Sequence, residues 1–136
     1  MANKPKKILV VDDLPDWRKT LKGLLQDEGY DVKVAASRYA ALALLKDSQF
    51  DLAVIDIRLD ESDENNVEGI DLATEIDKIQ PGTKIIIITG YGTLETVEKA
   101  MRDKDQHGKL ATDFIPKDET DSLIQIVKQA LSQGSV

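Results

Sequence analysis

The chain has 136 residues, of which 41% are hydrophobic and 32% charged, with 18 basic and 25 acidic side chains and a formal net charge of -7. That is one domain's length, enough for a core without a disulfide or metal staple, and the absence of cysteine excludes thiol chemistry and cysteine-based zinc sites while a lone His107 leaves nothing for an imidazole cluster. The acidic balance argues against direct contact with nucleic acid or anionic lipid, and no apolar run approaches the roughly 20 residues of a membrane span.

In chain order, the basic leader Met1 to Lys7 has no apolar stretch of signal length, so no targeting segment is expected and the expected home is the cytoplasm. Ile8 to Val11 predicts a buried strand. Trp17, Leu21, Leu24 and Leu25 then recur along one face of a helix that Gly29 closes. Val32 to Ala36 is the second strand, and Ser37 caps a helix carrying Ala41, Leu44 and Leu45. Leu52 to Ile55 is a third apolar strand, followed by a loop rich in Asp, Glu and Asn. Ile70, Ala73, Ile76 and Ile79 mark a third helix, ended by Gln80-Pro81-Gly82, and the β-branched run Ile85 to Ile88 is the fourth strand. A helix through Leu94, Val97 and Met101, a polar segment from Arg102 to Lys109, a short strand at Asp113 to Ile115 and a helix through Leu123, Val127, Ala130 and Leu131 complete the chain.

Five strands alternating with helices predict an α/β fold, a doubly wound parallel sheet in one domain over residues 1–136 with its core at about 6–131. In a flavodoxin-like (βα)5 arrangement of strand order 2-1-3-4-5, the first and third strands are neighbours. In such sheets ligands bind at the carboxyl ends of the strands, beside the point where strand order reverses. There the sequence puts Asp12 and Asp13 after the first strand, Asp56 after the third, Thr89 after the fourth and Lys117 after the fifth. A single Asp in such a place is ordinarily a cap or turn residue. Three together are harder to dismiss, because like charges about 4 Å apart repel by roughly 4 kcal/mol at an effective dielectric near 20. A divalent cation resolves that repulsion, and oxygen donors without His or Cys favour a hard ion such as Mg2+.

These residues resemble the receiver domain of two-component response regulators. The run Ile8-Leu9-Val10-Val11-Asp12-Asp13, the strand end Val54-Ile55-Asp56, Ile88-Thr89-Gly90 and Asp113-Phe114-Ile115-Pro116-Lys117 match its signature positions in order. Smaller features agree, including Arg18, Gly69-Ile70-Asp71-Leu72 and Pro81. The resemblance implies a signalling phosphoacceptor rather than an enzyme with an external substrate. Asp56 is then the nucleophile that takes a phosphoryl group from a sensor histidine kinase or phosphotransfer protein. Asp12, Asp13, Asp56 and the main-chain carbonyl of Arg58 are implied as Mg2+ ligands, Thr89 and Lys117 as contacts to the phosphoryl group, and Thr89 with Phe114 as the switch pair that alters a surface read by a downstream protein. No direct nucleic-acid or membrane contact is implied for this domain, and the oligomeric state is left open.

The alternative is a pseudo-receiver that keeps the fold and binds partners without phosphate; the full set of Asp12, Asp13, Asp56, Thr89 and Lys117 argues against it. A phosphatase of the aspartyl-phosphate type would want an Asp where Arg58 stands, and no glycine fingerprint for a nucleotide is present. Three departures from the family pattern stand out. The loop after Asp56 is long, with five acids and no base between Asp60 and Glu68; the stretch between Thr89 and Lys117 is extended by Arg102 to Lys109; and Lys117 is preceded by Pro116 and followed by Asp118 instead of by proline.

Overall fold

The computed structural model describes residues 5–56, 68–89, 113–116 and 120–133. Their elements run β1 (Lys7–Val11), α1 (Pro15–Asp27), β2 (Asp31–Ala35), α2 (Arg38–Asp47), β3 (Leu52–Asp56), α3 (Glu68–Ile79), β4 (Lys84–Thr89), β5 (Asp113–Pro116) and α4 (Thr120–Gln133). The five strands form one parallel sheet in the order β2-β1-β3-β4-β5, the order expected from the sequence. The helix expected through Leu94, Val97 and Met101, the segment Arg102 to Lys109 and most of the acidic loop lie outside the described residues.

Successive strand residues point to opposite faces, and that alternation sorts the core into two layers. Ile8, Val10, Leu52, Val54, Ile86 and Ile88 pack with Leu21 and Leu25 of α1 and with Leu123, Val127 and Ala130 of α4. Their chain neighbours Leu9, Val11, Ala53, Ile55, Ile85 and Ile87 pack on the other face with Ala41 and Leu45 of α2 and Ile70, Ala73 and Ile76 of α3. Strands covered on both faces have no alternation of polar residues to offer, which is why β1, β3 and β4 read as continuous apolar runs, whereas the edge strand β2 carries an exposed Lys33.

Local chemistry sets the helix ends. Pro15 opens α1, where a missing amide hydrogen costs nothing, and beyond its C-terminus Gly29 takes φ 94° to turn the chain into β2. Ser37 caps α2 as expected, its Oγ accepting from the Ala40 amide at 3.1 Å. The ion pairs Arg38 to Glu75 and Lys128 to Glu28 tie α2 to α3 and α4 to the end of α1.

Two residues depart from the sequence expectation. Ile79, placed on the buried stripe of α3 by its spacing, is 49% exposed, whereas Gln80, read only as part of a helix stop, is 5% exposed. The stripe Ile70, Ala73, Ile76 continues four residues on to Gln80, so the polar side chain takes the interior place. Gln80 Oε1 accepts from the Phe50 amide at 2.9 Å, and its Nε2 donates to the carbonyls of Leu45 at 2.9 Å and Ser48 at 2.7 Å. Thr83 Oγ1 donates to the Phe50 carbonyl at 2.8 Å. Leu24 of α1 and Leu44 of α2, on the apolar faces of their helices, are half-buried. Among the described residues no helix is long and apolar enough to cross a membrane.

Candidate functional site

β1 and β3 are hydrogen-bonded neighbours with Val11 beside Ile55, so the residues that follow, Asp12 and Asp56, emerge side by side at the carboxyl end of the sheet. Both are buried, Asp12 at 0% and Asp56 at 1% exposure, although each is ordinarily a surface residue type. Asp13 is half-buried. One carboxylate oxygen from each of the three lies within 4.8 Å of the others.

Asp12 is held from three directions. Its amide donates to the Ala35 carbonyl at the end of β2 at 3.1 Å, its Oδ1 accepts from the Leu14 amide at 2.9 Å, and its main-chain carbonyl accepts from Arg18 Nη1 at 2.8 Å. The Leu14 bond closes a turn on the Asp side chain itself, a local arrangement that short acidic residues favour. Oδ2 of Asp12 and Oδ1 of Asp13 are buried from solvent.

Three carboxylates so close repel one another, and burial strengthens the repulsion by lowering the local dielectric. All donors are oxygen, with no sulfur or imidazole in the cluster. The set therefore fits a hard divalent cation of the Mg2+ or Ca2+ type, bound by a few carboxylates with water completing the shell. The donor chemistry agrees with the expectation drawn from the sequence.

The other expected site residues are reached by the backbone or not at all. Asp56 is in register with Ile88, and Thr89, the next residue, ends β4 at the same edge of the sheet. Thr89 in turn pairs with Pro116, the residue before Lys117, and Phe114 pairs with Ile87. Lys117 and Arg58 lie outside the described residues. In the sequence Arg18 stands out only as a matching feature of the first helix. Its bond to a main-chain carbonyl carries no sequence signature, since any residue offers that acceptor.

The sequence model of the response regulator receiver domain matches residues 8–128. The chain belongs to this family. Among solved structures, the receiver is similar to a CheY-like response regulator receiver domain protein from Methanospirillum hungatei, with TM-score 0.80 and 31% identity over 96% of this chain and 97% of that one. A response regulator from Burkholderia pseudomallei, solved with a phosphorylated aspartic acid, a calcium ion and citrate, has TM-score 0.74 and 26% identity over 94% of this chain and 69% of the other. Among curated proteins, the transcriptional regulatory protein GlrR of Escherichia coli is 36% identical over 99% of this chain, and the nitrogen assimilation regulatory protein NtrX of Azorhizobium caulinodans is 34% identical over 91%. The chain spans 28% of the length of GlrR and 26% of that of NtrX.

Proposed function

We propose that this receiver accepts a phosphoryl group on Asp56 from a phosphohistidine of a sensor histidine kinase or phosphotransfer protein, and that the loaded form presents an altered surface to a downstream protein. The observation that carries this reading is the meeting of Asp12, Asp13 and Asp56 within 4.8 Å at the carboxyl end of the sheet. The phosphorylated aspartic acid and calcium ion of the Burkholderia relative lend it support.

In the proposed transfer, a carboxylate oxygen of Asp56 forms a bond to phosphorus as the phosphorus to nitrogen bond breaks. The donor imidazole leaves with the electron pair and is protonated, and Asp56 becomes an acyl phosphate. Such transfers depend mainly on positioning and on balancing charge on the transferred oxygens. Asp12, Asp13, Asp56 and the main-chain carbonyl of Arg58 would hold Mg2+, which when bound supplies positive charge to those oxygens. Asp12 and Asp13 act as ligand holders, and burial of Asp56 keeps bulk water from its carboxylate. The Thr89 hydroxyl would donate to one phosphoryl oxygen and the Lys117 ammonium would pair with another, while Phe114 follows Thr89 as the switch. Inverting a 1:99 population takes about 5.5 kcal/mol of preference for one conformation, a demand that two charge-assisted contacts can meet.

Residues 1–136 act on this reading as one receiver domain with its core at about 6–131, in the cytoplasm, passing its signal through protein contact. The test is chemical. Incubation with Mg2+ and acetyl phosphate is expected to add one phosphoryl group by intact-protein mass spectrometry, removable by hydroxylamine and abolished by EDTA. Asp56→Asn is expected to take up none. A parent that stays unlabelled, or an Asp56→Asn variant labelled like the parent, overturns the proposal.

A further inference from the structure

We infer that Arg18 is a positioning residue for the acidic pocket, fixing through the Asp12 carbonyl the direction in which Asp12 and Asp13 present their carboxylates to a divalent cation. The inference rests on the metal reading of the pocket above. The carbonyl that Arg18 Nη1 holds at 2.8 Å belongs to the peptide joining Asp12 to Asp13. That unit is planar, so its orientation sets the exit vectors of both side chains at once. Rotation of this one plane would swing two of the three carboxylates of the cluster.

No strand or helix ladder fixes that plane directly. Residues Asp12 to Leu14 lie between β1 and α1 and belong to neither. The Ala35 carbonyl anchors the peptide on the other side of Asp12, through the Asp12 amide, and the Leu14 amide pins the Asp12 Oδ1. Arg18 ties the Asp12–Asp13 peptide instead to α1, which is seated on the sheet by Leu21 and Leu25. The donor is a guanidinium and the bond is part-buried, so it is charge-assisted and partly shielded from water.

The charge of Arg18 makes the test decisive, because its Coulomb effect has the opposite sign. A cation beside a cation site weakens metal binding, so removing it should by charge alone tighten binding. Loss of positioning should loosen it. The affinity of the whole chain for Mg2+ alone is measured by isothermal titration calorimetry for the parent, Arg18→Met and Arg18→Lys, with urea unfolding in EDTA alongside so that folded proteins are compared. Arg18→Met is expected to bind Mg2+ about five- to tenfold more weakly, the net size of one ordinary hydrogen bond, the positioning loss being partly offset by the Coulomb gain. Arg18→Lys, which keeps a donor, is expected within about threefold of the parent, since one bond to a carbonyl needs one donor. If Arg18→Met does not fold, Arg18→Gln, too short to reach the carbonyl, carries the same expectation. A parent that binds while the neutral variant binds equally or more tightly overturns this inference alone. A parent that binds no Mg2+ overturns the metal reading and this inference with it.

Discussion

The Phe50 amide donates a 2.9 Å hydrogen bond to the side-chain oxygen of Gln80, thirty residues away and at the end of the sheet opposite the acidic pocket. The same side chain holds the carbonyls of Leu45 and Ser48, so one amide group closes the turn between α2 and β3. Gln80→Leu would keep the volume and leave the buried Phe50 amide and Leu45 carbonyl unmet, at an expected cost of about 2 to 4 kcal/mol. Urea unfolding measures the loss. Mg2+ binding should be unchanged in the folded variant, because the network and the pocket lie at opposite ends of the strands.

A smaller effect is expected at the start of α2. Ser37 satisfies the Ala40 amide at 3.1 Å, and Ser37→Ala should lower stability by about 1 kcal/mol while Ser37→Asp restores most of it. Because Ser37 follows β2 at the pocket end of the sheet, the comparison also asks whether α2 fraying reaches the site; equal Mg2+ affinity in all three proteins would show that it does not.

Alkaline pH gives a third expectation. Glu28, by hydrogen bond and then by charge, raises the pKa of the Lys128 ammonium above 10.5. Burial raises the Tyr30 phenol above 10.0, against a lowering by Lys128. Both groups hold their protons more tightly in the folded chain than in the unfolded one. Their contribution is therefore fully present below the unfolded values and is lost as pH rises through the folded ones. Stability should fall as pH climbs above about 10, and fall less steeply in Lys128→Met and in Tyr30→Phe. Urea midpoints across that range, with phenolate absorbance reporting Tyr30, check the direction and its assignment.

How much of this was legible in the sequence differs between fold and site. The inner strands β1, β3 and β4 announced themselves because strands covered on both faces demand unbroken apolar runs, and Ile85 to Ile88 can serve little else. Ser37 was legible because capping is local. Gln80 was not, because its burial depends on where α3 ends against Phe50 and Leu45, a tertiary matter that spacing alone misassigned to Ile79. At the site, the convergence of Asp12, Asp13 and Asp56 followed from strand order and needed no side-chain geometry. The grip of Arg18 on a main-chain carbonyl was invisible, since the acceptor is common to every residue.

The pocket itself supplies the last expectation. Asp12, Asp13 and Asp56 oppose one another within 4.8 Å, so the metal-free fold carries their repulsion as a standing cost. Asp13 is the most accessible of the three, and Asp13→Asn removes one charge while keeping a side chain of the same shape. In EDTA this variant should be more stable than the parent by about 1 kcal/mol, well short of the roughly 4 kcal/mol of one unscreened close pair because Asp13 is only half-buried. In Mg2+ the order should reverse. A parent with free Mg2+ at a hundred times its dissociation constant gains about 2.7 kcal/mol by mass action, and a variant missing one ligand gains far less. Paired urea curves in EDTA and in Mg2+ read both terms from the same two proteins. A variant less stable than the parent in EDTA would mean that Asp13 is held by contacts worth more than the repulsion it suffers.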